Sequence, residues 1–139
     1  IDRTNALRRE KGVAALTVND KLMQAAQVRA DEMAASGVYS HTRPDGRKYT
    51  TVTDCKYIGE NIHLIGEWQI RDSSLPSFAV EAWKNSAAHL KNMLNTRYHE
   101  IGVGVSKGTV MDEPYWYCVQ LFLLDGYNVT WVDAPAAKG

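Results

Sequence analysis

Residues 19–37, NDKLMQAAQVRADEMAASG, constrain the fold more than any other stretch. Asn19 is a residue that caps helix N-termini, and Gly37 is one that ends them. Between them Leu22, Ala26, Arg29 and Met33 recur at helical spacing, with Ala25 and Ala30 beside them. The spacing predicts a helix over this span, with one face turned to a core. Its many small side chains suit close packing against a neighbour. Ile1 to Lys11 is rich in helix formers and stops at Gly12, so a first helix precedes it.

The C-terminal third has a different period. Ile101, Val103 and Val105 alternate with Gly102, Gly104 and Ser106, which is a strand pattern. Tyr115 to Leu124 is aromatic and β-branched enough for a second strand. Residues 106–114, with Gly108 and Pro114, read as the connection of an antiparallel hairpin. The Gly102-Val103-Gly104 run reads as a place where another element comes close, not as a phosphate loop. In the middle, Tyr57 to Ile65 is an extended segment. Ser74 or Ser77 can cap a helix containing Phe78, Ala79, Ala82 and Trp83, and Ser86 to Leu94 suggests a further short helix. Residues 39–56 and 66–76 read as loops. The sum is an α+β domain, a sheet with helices against its faces. One domain is expected over residues 1–132, with Asp133 to Gly139 as an Ala/Pro-rich tail or linker.

Composition narrows the function. With 139 residues, 45% hydrophobic and 23% charged, the chain can bury one sizeable core. Sixteen basic and sixteen acidic side chains give a formal net charge of zero. Phosphate neutralisation needs a basic surface, so nucleic acid is not expected as a partner. No apolar run approaches the roughly 20 residues of a transmembrane helix. The two cysteines, Cys55 and Cys118, allow one disulfide, which would close a long loop worth about 4 kcal/mol. Alternatively they are separate thiols, with Cys118 packed as a small hydrophobe in a strand.

The polar residues of interest are few. In YSHTRPDG, residues 39–46, Pro44-Asp45-Gly46 is turn chemistry, and His41 stands just before it. In a regular strand Ile58, Glu60, Ile62 and Leu64 share a face and His63 points the other way. Glu60 is then a carboxylate among aliphatics, and a buried carboxylate needs a partner: a histidine, a backbone amide or a metal. Ser86 and His89 are three apart, so they share a helix face. They read as nucleophile and base, or as a helix cap followed by a histidine; a lone Ser-x-x-His favours the cap. His99, in a polar run, reads as solvated. Zincin, structural-zinc, dinucleotide and hydrolase-elbow signatures are missing.

Taken in order, these pieces resemble the CAP superfamily, the cysteine-rich secretory, antigen 5 and pathogenesis-related 1 proteins, or SCP domain. The resemblance rests on Asn5-Ala6-Leu7-Arg8 with Gly12, Arg29 to Met33, Ser40-His41 followed by Pro44-Asp45-Gly46, and Gly59-Glu60-Asn61-Ile62. It continues through Trp83-x-x-Ser86-x-x-His89 with Asn92-Met93-Leu94, Ile101 to Gly104, and Tyr115-Trp116 with Gln120 and Phe122. The Trp-x-x-Ser-x-x-His-x-x-Asn pattern looks like the bacterial branch. The resemblance implies an α-β-α sandwich with a central antiparallel sheet, in a secreted or cell-surface protein. It also implies a central cleft in which two histidines hold a divalent metal, often zinc, beside two glutamates. His41, Glu60 and His89 match three of those four positions; Ser86 stands where the second glutamate would be.

Three functions follow. The first is a binding module whose cleft of His41, Glu60, Ser86 and His89 meets an extracellular small ligand, lipid, peptide or cell-wall component. A divalent metal such as zinc would sit on His41 and His89. The second is a metal-assisted hydrolase with Glu60 as base. The third is a structural surface adaptor. For Glu60 the plainer reading is that it accepts backbone amides and ties its loop down.

Overall fold

The computed structural model describes residues 1–134. Five helices are present among them: α1 (Asp2–Glu10), α2 (Asp20–Ser36), α3 (Glu67–Ile70), α4 (Leu75–Lys84) and α5 (Ala87–Leu94). The strands are β1 (Thr17–Val18), β2 (Ile58–Gly66), β3 (Tyr98–Val110) and β4 (Glu113–Leu124), in sheet order β1-β3-β4-β2. The α2 boundaries follow the expected signals. The Asn19 side chain accepts the Leu22 amide at 2.9 Å, and Gly37 takes a left-handed φ of 74°.

The sheet separates two cores, making an α-β-α sandwich. On one side α2 packs Leu22, Ala26 and Met33 against Ile62, Leu121 and Leu123. On the other, Leu7 of α1, Trp83 of α4 and Met93 of α5 pack against Ile65, Ile101 and Phe122. Period-two alternation sends odd and even residues of each strand to opposite sides. Gly102 and Gly104 face α2, whose backbone at Leu22–Met23 and Ala26–Gln27 occupies the space a Cβ would need. The expected close approach is therefore made by the alanine-rich helix itself.

Three local expectations change, and one pair of alternatives is decided. Residues 106–114 are not an open connection: β3 runs on to Val110, and Met111–Asp112 alone turn the chain, with φ of 50° and 66°. A two-residue hairpin needs such left-handed residues to match strand twist. The sheet is mixed, because β1 pairs with β3 in parallel; two residues are too few to show a period. The 66–76 segment holds α3, and the 39–56 segment holds a 3₁₀ turn at Tyr49–Val52. Finally, Cys55 and Cys118 are separate, buried thiols. Cys55 lies in the α2-side core and Cys118 in the opposite one, with the sheet between them. Burial pushes the Cys118 thiol up to about 12.

The turn at Pro44-Asp45-Gly46 forms as read: Gly46 has φ of 94° and Asp45 accepts the Arg47 amide at 3.0 Å. Of the expected tail, Asp133 is held by Arg43 at 2.8 Å and Arg47 at 2.7 Å. Residues 135–139 lie outside the described residues. No described helix is long and apolar enough to cross a membrane.

Candidate functional site

The site is built around β2, one of the two edge strands of the sheet. Its α2-facing side carries Glu60, whose side chain is fully buried among aliphatic neighbours. The carboxylate is bound from two directions. Arg29 of α2 donates Nε to Oε2 at 2.7 Å and Nη2 to Oε1 at 3.1 Å. His41 lies 2.8 Å from Oε1 through its Nδ1. A carboxylate held by a guanidinium only accepts, so Nδ1 carries the hydrogen and His41 presents Nε2 outward. Glu60 thus ties the loop down through an arginine and a histidine rather than through backbone amides.

Arg29 extends this into a network. Its Nη2 also donates to the Ser40 carbonyl at 2.6 Å, one residue before His41, and its Nη1 to Glu32 at 3.1 Å. Glu32 in turn receives a forked pair from Arg43, at 2.9 and 3.1 Å, and Arg43 reaches Asp133. Charges therefore alternate from His41 through the base of its loop to the C-terminal segment. The loop is polar in sequence but anchored at Ser40, His41 and Arg43. Tyr49 adds an edge contact to the His41 ring, with centroids 5.9 Å apart.

The other side of β2 positions His89. Asn61 donates its amide to the His89 carbonyl at 3.1 Å and to Gln120 at 3.2 Å. Asn92 donates to Asn61 at 2.9 Å, and Gln120 to Thr4 at 2.7 Å. This buried amide ladder fixes α5 against the sheet. Ser86 occupies the N-cap position of α5 by its backbone, but its hydroxyl makes no cap bond. Its Oγ instead meets His89 Nδ1 at 2.8 Å, so the cap reading of its side chain is replaced by a Ser-His pair.

His41 and Glu60 are thus brought together on one side, and Ser86 and His89 on the other. The His89 pKa is lowered, first by burial and then by the electrostatic influence of His41. His63 lies on the His89 side, as alternation required, and its pKa is lowered by burial and by His89. His99 is over half exposed, near Asp125. Both His41 and His89 have Nδ1 engaged, by Glu60 and by Ser86, so Nε2 is the ring nitrogen each has left for another partner. Imidazole nitrogens are donors of the kind a divalent metal such as zinc accepts. Among the described residues no group of three or more His, Cys, Asp and Glu side chains is placed to share an ion. The positioning residues Arg29, Glu32, Arg43, Asn61 and Gln120 were not recognised from sequence; an arginine within an apolar helical face was the available signal.

The model of the cysteine-rich secretory protein (CAP) family matches residues 1–122. The chain belongs to the CAP family. Two Bacillus subtilis relatives are similar to this CAP domain. YkwD, an uncharacterised protein, is 29% identical over 117 residues, covering 83% of this chain and 44% of its own. YlbC, an uncharacterised membrane protein, is 30% identical over 115 residues, covering 77% and 30%. The chain spans less than half the length of these curated relatives. Among solved structures, an extracellular SCP-domain protein of Bacillus anthracis aligns with a TM-score of 0.64 at 24% identity. It covers 88% of this chain and 38% of the other. An outer surface protein of Borrelia burgdorferi aligns at 0.63 and 18% identity, over 89% of each. These likenesses speak to the fold.

Proposed function

We propose that this CAP domain is a binding module working outside the cell, with the His41/His89 pair as its contact point and a divalent metal such as zinc held by their Nε2 atoms. The observation that carries the reading is the state of Glu60. Both its oxygens are engaged, by Arg29 and by His41. A carboxylate so held, paired to a guanidinium and with its side chain fully buried, positions an imidazole and does not face the solvent from which a base would draw a proton. This favours a binding role over a metal-assisted hydrolase built on the same residues. The metal, when bound, supplies an electron-pair acceptor for a ligand oxygen. The protein supplies the rest: Glu60 fixes the His41 tautomer, Ser86 orients the His89 ring, and the amide ladder keeps α5 in place. His89, with its lowered pKa, stays neutral at pH 7 and keeps its lone pair. A place outside the cell is supported by the Bacillus anthracis and Borrelia burgdorferi neighbours, described as extracellular and outer-surface proteins. Extracellular ligands of the classes named above, and a bacterial source, belong to the same reading.

Calorimetric titration with zinc tests it. Wild type is expected to bind one ion per chain with a Kd of about 1–100 μM, and His41→Ala or His89→Ala to weaken this at least about tenfold. Absence of binding heat in wild type, across two temperatures, would remove the metal from the proposal. Zinc-dependent peptide hydrolysis lost in Glu60→Gln would restore the hydrolase.

A further inference from the structure

A second site lies away from these histidines, at the end of the sheet where β1 and β3 begin and β4 ends. There the α1–β1 connection, the start of β3 and the turn after β4 enclose an open cleft of about 500 Å³. Small-molecule sites run about 300–1,000 Å³. The floor is Arg8, which is 1% exposed. Among the described residues its guanidinium has no carboxylate partner. It donates instead to the carbonyls of Ala14 at 2.7 Å, Met93 at 2.8 Å, Asn95 at 3.1 Å and Tyr98 at 3.2 Å. A guanidinium has five N–H groups, and these four bonds leave one on Nη2 without a partner among the described residues. The rim carries the carboxylates of Glu100 and Asp125 and the amide of Asn128. One wall is Tyr127, 40% exposed, its ring braced by a stack on Tyr57 with centroids 4.0 Å apart.

We propose that this cleft is a carbohydrate site for a short neutral oligosaccharide. Three features select that class. A braced tyrosine offers a ring face to the C–H bonds of a pyranose without an ordering cost on binding. Two carboxylates, an amide and a buried N–H supply the mixture of acceptors and donors that vicinal hydroxyls need. The charge balance excludes anions: one guanidinium faces two carboxylates, with His99 beside Asp125 at 3.3 Å. The Arg8 guanidinium and the Glu100 and Asp125 carboxylates in the lining disfavour an acyl chain. The lining is also fixed in advance, since the Asp125 amide bonds the Arg97 carbonyl at 2.8 Å and the Val13 amide bonds the Arg8 carbonyl at 2.8 Å. The site is independent of the His41/His89 proposal, because no lining residue belongs to β2, α5 or the histidine loop.

Amide NMR titration with chitotriose and cellotriose, and with trigalacturonate as the anionic comparison, tests the assignment. At least one neutral trisaccharide is expected to give saturable shifts confined to residues 14–17, 96–100 and 124–128, with a Kd of about 0.1–5 mM. Tyr127→Ala and Asp125→Ala should each weaken binding at least about tenfold, whereas Tyr127→Phe, which keeps the ring, and His89→Ala should not. Asp125 is largely exposed, so its variant remains informative if Tyr127→Ala folds poorly. No saturable shift with either neutral sugar at about 10 mM, shifts elsewhere on the surface, or tighter binding of trigalacturonate would overturn the proposal.

Discussion

Replacing Glu60 by glutamine should cost far more stability than a surface carboxylate would. The Arg29 and Glu60 side chains are both fully buried and joined by two bonds, at 2.7 and 3.1 Å. Removing one partner of such a pair leaves an uncompensated buried charge, at about 3–5 kcal/mol. Arg29 keeps Glu32 at 3.1 Å, but Glu32 is 12% exposed and already shared with Arg43. That residual partner places Glu60→Gln near the lower end, about 3 kcal/mol, or about 10 °C in melting temperature for a domain of this size. With a urea m-value of about 1.5 kcal/mol/M, the unfolding midpoint should drop by about 2 M. The assay is urea unfolding of wild type, Glu60→Gln, Arg29→Met and the double variant. Removing both charges leaves neither unpaired, so the double variant should cost clearly less than the two singles together, with a coupling of about 2 kcal/mol. A loss below about 1 kcal/mol for Glu60→Gln, the value of an exposed pair, would refute the reasoning. Strict additivity in the cycle would do the same.

Two further outcomes test the packing and the histidines. Gly102→Ala places a methyl group against the α2 backbone at Leu22 and Met23, where no side-chain rotation relieves it. It should cost about 3 kcal/mol or more, and more than Gly108→Ala, whose new Cβ would stand 3.0 Å from the Tyr117 ring and 3.1 Å from the Ala34 carbonyl. Equal thermal shifts for the two would contradict the close approach of α2 to β3. Stability should also fall as pH drops below 6.5. His63 and His89 are both held below that ordinary value in the folded state, chiefly by burial, so the unfolded chain takes up their protons first. Urea midpoints measured between about pH 7.5 and 5.5 should therefore decline, and decline less in His63→Gln and His89→Gln; a flat profile in wild type would oppose the assignment.

The elements legible in the sequence were those with a long period or a punctuating residue. Asn19 and Gly37 bracket α2 within a residue, and Ser74 caps α4 by accepting the Ser77 amide at 3.2 Å. What was not legible was short or depended on distant partners. Thr17–Val18 becomes a strand only because Ile101 and Glu100 lie alongside it. The hairpin was read as too open because Gly108 and Pro114 are turn formers. Yet Gly108 pairs in register with Tyr115, Pro114 pairs with Thr109, and the reversal falls on Met111 and Asp112. Ser86 looked like a cap because its backbone is one, and only the fold shows its hydroxyl going to His89.

The site itself was visible as two anomalies that had not been joined. Arg29 sits in the apolar face of a helix, between Ala26 and Met33. Glu60 sits in the apolar face of a strand, between Ile58 and Ile62. Either alone is costly to bury, and each carries the charge the other lacks. Since α2 packs on the same side of the sheet to which Glu60 points, the two were bound to meet if both were interior. The pairing then determines what His41 can be. With the Arg29 guanidinium donating to both its oxygens, Glu60 is the acceptor, and His41 is fixed with Nδ1–H inward and Nε2 outward. The same guanidinium grips the Ser40 carbonyl, so the histidine and the base of its loop are set by one buried cation. A residue in the apolar face of the helix thus sets both the carboxylate that holds His41 and the backbone just before it. For that reason Arg29→Met, like Glu60→Gln, should lower the urea midpoint and, on the metal proposal, weaken zinc binding in the same calorimetric titration.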